Sequence, residues 1–338
     1  MIVISKYICN ALNAGPKAKV DVEKIMKEEF DATIKTFAYT EKQEETKLKS
    51  MLLKAKKLIF SMNNIKKQEL TMIQVPFSNE LYLTKKAQNK IALIHDLDGL
   101  RKQEDELNKK EMEFLKTCKW IIAHNRKMKE YLVTQGIEEE KIFVLELFDY
   151  LCKEKKEQTS KEKQKVVKTI AYAGNLVSDK SPFLYQLDEK NMNFELELYG
   201  KGITKDINEK MKYKGSFKPE ELPNKIDSDL GLVWDGNYDE SDEKKTFKNY
   251  TRYNNPHKLS CYIASGIPVI VWAKSAVAEF VEKENIGYTI HSIYDINQLN
   301  FEDYTTKKEN VERLMEQVRN GFYTKRVVKE ILLQEKIK

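Results

Sequence analysis

The chain has few cysteines, and their spacing argues against the two structures that cysteines usually build. Four occur among 338 residues, and no two of them form a CxxC pair. The sequence therefore suggests neither a structural zinc site nor a disulfide framework, and it favours a reducing compartment. The cysteines are Cys9, Cys118, Cys152 and Cys261.

Long apolar segments are also missing. No run of about 18 apolar residues occurs, so we expect no membrane-spanning helix. The apolar start at residues 1–4 is interrupted by Ser5 and Lys6, which leaves it too short for the core of a signal peptide. Together these absences predict a cytoplasmic protein.

Charge of one sign is not concentrated anywhere. The 59 basic residues are spread beside 53 acidic ones, for a net charge of +6. No basic block is interleaved with aromatic residues, so we predict no nucleic-acid platform. The mild positive balance fits an anionic small substrate or a loose attraction to a membrane surface equally well. The length suggests two domains.

Short apolar runs separated by charged stretches predict an α/β structure in the first half. Strands that alternate with helices form parallel sheets, and ligands gather beyond the carboxyl ends of such strands. The apolar runs are residues 1–9, 34–39, 57–61, 72–75, 91–95, 120–124 and 142–146.

A segment without any apolar residue, 153–165, cannot pack a core and marks the best domain boundary. A new α/β pattern follows it. The last part of the chain carries an amphipathic seam broken at Gly321, which fits either a returning helix or a partner helix. We therefore predict four parts: an N-terminal domain over 1–152, a charged linker over 153–165, a second domain over 166–307 and a helical tail over 308–338.

Two strand ends in the first half carry residues suited to chemistry. Gly15 and Pro16 close a small polar loop in which backbone amides can approach a phosphate or sugar, although an ordinary turn has the same composition. Neither a P-loop nor a GxGxxG pattern is present. His95 and Asp96 end a buried run and can hydrogen-bond or transfer a proton near neutral pH, or serve structure alone. His124 has no acidic neighbour, and we expect it to be structural.

The strongest local signal is a predicted helix start followed by a buried strand. Asn255 suits the N-cap, Pro256 the first helical position, and Gly266 the end of the helix. Lys258 then lies in the first turn, where the helix dipole disfavours a cation by roughly 0.3–1 kcal/mol. The same position favours a bound phosphate. The alternative is a solvated lysine.

The run Pro-His-Lys-Leu-Ser-Cys-Tyr-Ile-Ala-Ser-Gly-Ile-Pro-Val-Ile from Pro256 onward resembles the donor-site segment of GT-B glycosyltransferases, which use nucleotide sugars. In that family the lysine meets the diphosphate. Many members carry a glutamate for the ribose where this chain has Cys261. The resemblance implies an α/β GT-B fold, in which two Rossmann-like domains face each other across a cleft and a C-terminal helix crosses back.

The resemblance also assigns site residues. The turn "A-G-N-L" and the cation after it would lie against the donor phosphates, and Phe217 or Tyr213 would stack on the base. Lys258 and the helix amides would stabilise the departing diphosphate in place of a metal. The implied donor-binding residues are Gly15, Pro16, Gly174, Asn175, Lys180, Ser216, Phe217, Asn254, Asn255 and Lys258. The implied catalytic residues are His95 and Asp96, with Asp96 as the base.

Within the GT-B group the chain most resembles bacterial cytoplasmic glucosyltransferases that extend N-acetylglucosamine on serine-rich-repeat adhesins, which are related to galactofuranosyltransferases. This implies a UDP-sugar donor, transfer of a hexose such as glucose to a glycan or glycopeptide, no cofactor, and a homo-oligomer. A galactofuranosyltransferase of surface polysaccharide assembly, a non-catalytic chaperone subunit, an epimerase and a phosphorylase remain alternatives. The polar segment 236–253 is expected to be a mobile loop that orders when nucleotide binds.

Overall fold

The computed structural model describes residues 1–9, 15–40, 69–76, 87–152, 167–203, 207–242, 244 and 246–337. The chain divides into two compact units, and each contains one parallel six-stranded sheet. The first unit comprises Met1–Leu145 and Thr324–Lys338, and the second comprises Glu146–Tyr323. The predicted α/β class is confirmed. The predicted linker at 153–165 and the apolar run at 57–61 lie outside the described residues.

The sheet of the first unit has the order β2-β1-β3-β4-β5-β6. The chain adds β2 on one side of β1 and β3 to β6 on the other, so the strand order reverses between β1 and β3 while all strands stay parallel. Every residue of β3, β4 and β5 is buried, as expected for strands covered on both faces. A reversal of strand order opens a crevice at the carboxyl ends, where ligands bind in open α/β sheets. The strands are β1 (Ile2–Cys9), β2 (Thr33–Thr40), β3 (Thr71–Val75), β4 (Lys90–Ile94), β5 (Trp120–Ala123) and β6 (Ile142–Val144). The helices are α1 (Lys17–Phe30), α2 (Asp98–Lys102), α3 (Asp105–Lys116) and α4 (Arg126–Thr134), with a 3-10 helix at Glu139–Lys141.

The sheet of the second unit has the order β12-β11-β10-β7-β8-β9 and reverses between β7 and β10. Its strands are β7 (Thr169–Asn175), β8 (Glu195–Lys201), β9 (Met211–Gly215), β10 (Leu230–Val233), β11 (Val269–Trp272) and β12 (Gly287–Ile290). The helices are α5 (Thr246–Tyr250), α6 (His257–Ser265), α7 (Ala278–Lys283) and α8 (Tyr304–Arg319). Short 3-10 helices occur at Pro182–Tyr185, Glu189–Asn191, Leu222–Asn224 and Ile293–Gln298.

Tyr262 of α6 fills the gap that opens where β7 and β10 part. The paired register of these strands extends to Gly231 and Ala171. Beyond that point the Tyr262 hydroxyl accepts from the Ala173 N–H at 2.7 Å and donates to the Leu232 carbonyl at 3.2 Å. A Cβ at Gly231 would lie 2.3 Å from the tyrosine ring, so only glycine leaves room for it. This contact seats α6 at the point where the strand order reverses.

The C-terminal part consists of α8 and α9 (Phe322–Ile337), separated at Gly321 as predicted. The tail predicted over 308–338 is divided between the two units. Helix α8 belongs to the second unit, and only Thr324–Lys338 belongs to the first. Phe322, the first residue of α9, is 43% exposed, so the apolar seam does not include it. Within the described ranges, no helix combines the length and apolarity needed to cross a bilayer.

Removing the Tyr262 hydroxyl tests how firmly α6 is seated. We expect Tyr262→Phe to lower the free energy of unfolding by about 1–3 kcal/mol, because two buried backbone groups lose their partner. Urea denaturation followed by circular dichroism measures the change. Tyr213→Phe is the matched control: the Tyr213 hydroxyl also donates to a backbone carbonyl, that of Gly200, but the side chain is 51% exposed and water can replace the bond. Equal losses in the two variants would contradict a special role for Tyr262.

Candidate functional site

Lys258 brings a cation to the point where β7 and β10 diverge. Its Nζ donates to Asp235 Oδ1 at 2.6 Å and to the Trp234 carbonyl at 3.0 Å. It also lies 3.2 Å from the Tyr172 hydroxyl. Trp234 and Asp235 directly follow β10, and Tyr172 lies within β7. The ammonium therefore occupies the crevice position at which open α/β sheets hold ligands.

The surroundings of Lys258 keep it charged. Burial disfavours the ammonium, but Asp235 and Tyr172 more than offset this effect, so the pKa of Lys258 is raised. Only 16% of the lysine side chain and 17% of Asp235 are exposed. The sequence predicts a cation available to a phosphate, whereas the structure pairs it with a carboxylate. An anionic ligand would therefore have to compete with Asp235.

Gly174, predicted as a neighbour of the donor phosphates, adjoins Lys258. A Cβ at Gly174 would lie 3.0 Å from the lysine Cε, so the glycine leaves room for the side chain. Asn175 follows and is exposed; its Oδ1 accepts from the Val177 N–H at 3.1 Å. The structure thus brings Gly174 and Lys258 together from distant parts of the sequence.

The loop before α6 differs from the predicted cap. The helix begins at His257, with Pro256 extended at the N-cap position, so the assignment of Asn255 as N-cap and Pro256 as the first helical residue is wrong by one residue. The physical reason is that Asn255 is 4% exposed and its Nδ2 donates to the Glu146 carbonyl at 2.8 Å instead. Asn254 Oδ1 is buried and receives no hydrogen bond from the residues that the structure describes.

Three further predicted donor residues lie on turns after β7 and β9. Lys180 is exposed. Ser216 and Phe217 follow β9, and the half-buried Phe217 ring lies 6.4 Å from the Tyr199 ring. Since β8 separates β7 from β9, Phe217 shares the carboxyl edge of the sheet with Lys258 but is two strands away. After Phe217, a turn at residues 219–221 leads into the 3-10 helix Leu222–Asn224.

In the first unit, His95 and Asp96 follow β4 at the carboxyl edge of the sheet, as predicted. His95 Nε2 lies 2.6 Å from Gln74 Oε1. Asp96 Oδ2 instead accepts from Arg101 Nη1 at 3.1 Å. A carboxylate bound to a guanidinium is a weaker proton acceptor, which makes His95 the better candidate of the two.

The other first-unit assignments are simpler. Gly15 and Pro16 directly precede α1, with Pro16 at its N-cap, and the preceding loop residues 10–14 lie outside the described residues. His124 is 1% exposed, and burial lowers its pKa to about 4 although the Ile94 and His95 backbone opposes this effect. These features fit the structural role expected of His124.

Sequence reasoning missed Lys248, which lies in α5 within the segment 236–253. The side chain is 1% exposed, and its Nζ lies 3.5 Å from the Trp234 ring centre and 5.0 Å from that of Trp272. Burial lowers the pKa of Lys248 to about 8 against the opposing effect of its acidic neighbours Asp242, Asp235, Glu240 and Asp239. No pattern distinguishes this lysine from the many solvated ones, because its burial comes from Trp234 and Trp272 on two different strand ends.

Glu240 joins the same segment to the rest of the second unit. Its Oε1 accepts from Trp272 Nε1 at 2.9 Å and lies 2.9 Å from His291 Nδ1, and Oε2 accepts from Lys274. Despite the cost of burial, these partners lower the pKa of Glu240 to about 2. The described residues of 236–253 thus contain a helix and two anchored side chains rather than a plain loop. Its ordering on nucleotide binding stays a prediction.

The chemistry available at the second-unit crevice is electrostatic. A mostly buried ammonium and the first amides of α6 suit a phosphorylated ligand. Across the ranges that the structure describes, no group of three or more His, Cys, Asp or Glu side chains is placed to hold a metal ion.

Comparisons with known proteins cover both halves of the chain. The family model "Glucosyltransferase 3-like, N-terminal domain" matches residues 1–147, and "Glucosyltransferase 3-like, C-terminal domain" matches residues 170–331. Beta-1,6-galactofuranosyltransferase WbbI of Escherichia coli (strain K12) is 32% identical over 252 residues, which are 72% of this chain and 71% of that protein. Glucosyltransferase 3 of Streptococcus gordonii is 22% identical over 219 residues, which are 63% of this chain and 61% of that protein.

Solved structures share the fold. The Anabaena protein Alr3699/HepE, crystallised in complex with UDP, has a TM-score of 0.61 at 10% identity, with 100% of each chain covered. A likeness at this identity shows the fold alone. Structural neighbours of this kind are GT-B glycosyltransferases, so the GT-B fold predicted from the sequence is confirmed.

The buried Lys248 should make the free energy of unfolding depend on pH. Its pKa of about 8 in the fold lies below the ~10.4 of an unfolded chain, so between these values the unfolded chain binds more protons and stability rises with pH. Lys248→Met lacks the titrating group, so its free energy of unfolding should not show this rise. The free energy of unfolding of the variant minus that of the wild type should therefore decrease from pH 8 to pH 10. Urea denaturation across this range measures it.

Lys212→Met provides the control for the pH series, because Lys212 is 54% exposed and pairs with Glu195 at the surface. This variant retains Lys248, so its free energy of unfolding should still rise between pH 8 and pH 10. A rise of the same size in Lys248→Met would contradict the lowered pKa of Lys248.

Proposed function

The chain belongs to the glucosyltransferase 3-like family and is a GT-B glycosyltransferase, and we propose that it transfers a hexose, glucose in the first instance, from a UDP-sugar to a glycan or glycopeptide. The acceptor class we propose is an N-acetylglucosamine-modified serine-rich protein. The observation that carries the proposal is the charged Lys258 at the reversal between β7 and β10. Cytoplasmic location and assembly into a homo-oligomer are further parts of the proposal.

Lys258 and the first amides of α6 would bind the diphosphate and stabilise its charge as it departs, so that no metal or other cofactor is required. The Asn254 oxygen would accept from a donor hydroxyl, and Phe217 would stack against the base. The remaining members of the proposed donor site are Gly15, Pro16, Gly174, Asn175, Lys180, Ser216 and Asn255.

In the first unit we assign the sugar-contacting role to His95. Its imidazole can accept a hydrogen bond or a proton near neutral pH. Asp96 stays in the proposed catalytic pair, but its bond to Arg101 favours a supporting role over that of the base.

Galactofuranose is the second candidate for the transferred sugar. The observation in its favour is the identity of 32% with a galactofuranosyltransferase, against 22% with a glucosyltransferase. The acceptor would then be a surface polysaccharide. Assays with UDP-glucose and UDP-galactofuranose, each with glycopeptide and polysaccharide acceptors, separate the two functions.

A thermal-shift screen of UDP, GDP and ADP tests the donor. Because binding to the folded state stabilises it by mass action, UDP should raise the melting temperature and the other nucleotides should not. Lys258→Ala should abolish the shift. Lys307→Ala is the matched control, since both lysines are less than a fifth exposed and pair with an aspartate, and the variant should retain the shift. If no nucleotide shifts the wild type, the donor assignment is wrong and a non-catalytic role gains support.

Asp235→Asn tests whether that carboxylate competes with the diphosphate. The unliganded variant should melt at a lower temperature, because Lys258 keeps a weaker partner in a buried site. At equal concentration, UDP should then raise the melting temperature more than it does in the wild type. Differential scanning fluorimetry measures both quantities.

Asp303→Asn serves as the control for Asp235→Asn. Asp303 pairs with the buried Lys307 at 2.9 Å and bonds Tyr288, near the start of β12. Its loss should lower the melting temperature and leave the UDP shift unchanged. A UDP shift in Asp235→Asn no larger than that of the wild type would rule out competition.

A further inference from the structure

Gln74 is a polar residue in a strand that is otherwise buried and mostly apolar. It lies in β3, where all five residues are buried, and its own side chain is 0% exposed. The amide is bonded at both ends. Its Nε2 donates to the Lys19 carbonyl at 3.1 Å and to Ser5 Oγ at 2.5 Å, and its Oε1 lies 2.6 Å from His95 Nε2.

These contacts determine which nitrogen of His95 carries the proton. The Lys19 carbonyl can only accept, so the nitrogen of the Gln74 amide must face it and the oxygen must face the imidazole. An amide oxygen can also only accept, so His95 Nε2 must donate. In the neutral ring the lone pair is therefore on Nδ1.

The network spans the reversal of strand order in the first sheet. Ser5 lies in β1, Gln74 in β3, and His95 directly follows β4. Ser5 is 0% exposed, and the 7% exposed Lys19 points its Nζ at the Gln74 and Pro76 carbonyls, both at 3.4 Å. A buried amide with both ends bonded is held in one orientation and is costly to disrupt.

We propose that Gln74 is a positioning residue that holds His95 in the Nε2–H tautomer, so that Nδ1 presents a lone pair to a sugar hydroxyl. The role of the hydroxyl rests on the proposed glycosyltransferase function, whereas the tautomer does not. An apolar residue would be enough if position 74 only packed the core. The neighbouring Ile73 and Val75 of β3 are buried apolar residues of this kind.

Nitrogen NMR of the imidazole rings tests the tautomer directly. The chain has only four histidines, and His95→Asn identifies the signals of interest by their loss. We expect the wild type to show the Nε2–H form. Gln74→Met, which keeps the length of the side chain but cannot accept in the same way, should give a mixture of tautomers. Gln74→Glu, which keeps an acceptor oxygen, should restore the Nε2–H form.

Thr71→Val is the matched control in the same strand. Thr71 is 0% exposed, and its hydroxyl donates to the Glu69 carbonyl at 3.1 Å, at the opposite end of β3 from His95. The substitution removes one buried hydrogen bond and should leave the His95 tautomer unchanged. If Gln74→Met fails to fold, Gln74→Asn replaces it: the side chain is one methylene shorter and cannot keep its contacts at both ends, so this variant should also give a mixture of tautomers.

Kinetics test the consequence for sugar binding. Gln74→Met should lower kcat/KM for transfer by about tenfold, the value of one hydrogen bond, while Gln74→Glu recovers part of the loss. The UDP-induced thermal shift should stay close to the wild-type value, because Lys258 and Phe217, the residues proposed to bind the diphosphate and the base, lie in the second unit.

Three different outcomes would contradict three different parts of the proposal. A wild-type His95 in the Nδ1–H form, or a tautomer that Gln74→Met does not move, overturns the positioning role. An altered tautomer with kcat/KM equal to that of Thr71→Val overturns the link to the sugar. A wild type that neither binds UDP nor transfers sugar, but shows the expected tautomer, overturns the proposed function and the sugar link while the tautomer assignment stands.

Discussion

The hydrogen bonds of the Tyr262 hydroxyl fix the position of the candidate site in the second unit. Tyr262 places its hydroxyl between the Ala173 N–H of β7 and the Leu232 carbonyl of β10, two groups that the parting strands cannot offer each other. Buried backbone groups must find partners, so this gap fixes α6 in position. Lys258 lies in the first turn of the same helix, one turn before Tyr262. The fixed position of α6 therefore also places Lys258 at the crevice.

The position of Lys258 creates an electrostatic requirement. An ammonium this far from water needs an anion close by, since its desolvation otherwise costs several kcal/mol. Asp235 meets the requirement at 2.6 Å, and Tyr172 and the Trp234 carbonyl complete the contacts. A site built in this way is charged in advance of any ligand, and it favours anions that can take over the role of the carboxylate. This property agrees with leaving-group stabilisation by fixed protein charge.

The two units follow one topological rule with different chemistry. In each sheet the polar cluster lies where the strand order reverses: Lys258 with Asp235 between β7 and β10, and Gln74 with Ser5 between β1 and β3. The second unit uses a buried charge, and the first uses neutral hydrogen bonds that orient His95. A buried charge suits a phosphate, whereas an oriented neutral ring suits a hydroxyl group.

The amino-acid sequence by itself determined the local features of this protein. Apolar runs located the described strands of the first unit, and Gly266 ended its helix as predicted, because periodicity and turn chemistry act over a few residues. The resemblance of the segment around Lys258 implied a donor site there, which stays a prediction. Only the tertiary structure decided the partners: Asp235 and Tyr172 for Lys258, at separations of 23 and 86 residues, two tryptophans for Lys248, and Gln74 for His95. It also decided that Asn255 bonds the Glu146 carbonyl instead of capping α6. Such pairings depend on which strands become neighbours, and strand order is a property of the whole sheet that no local pattern encodes.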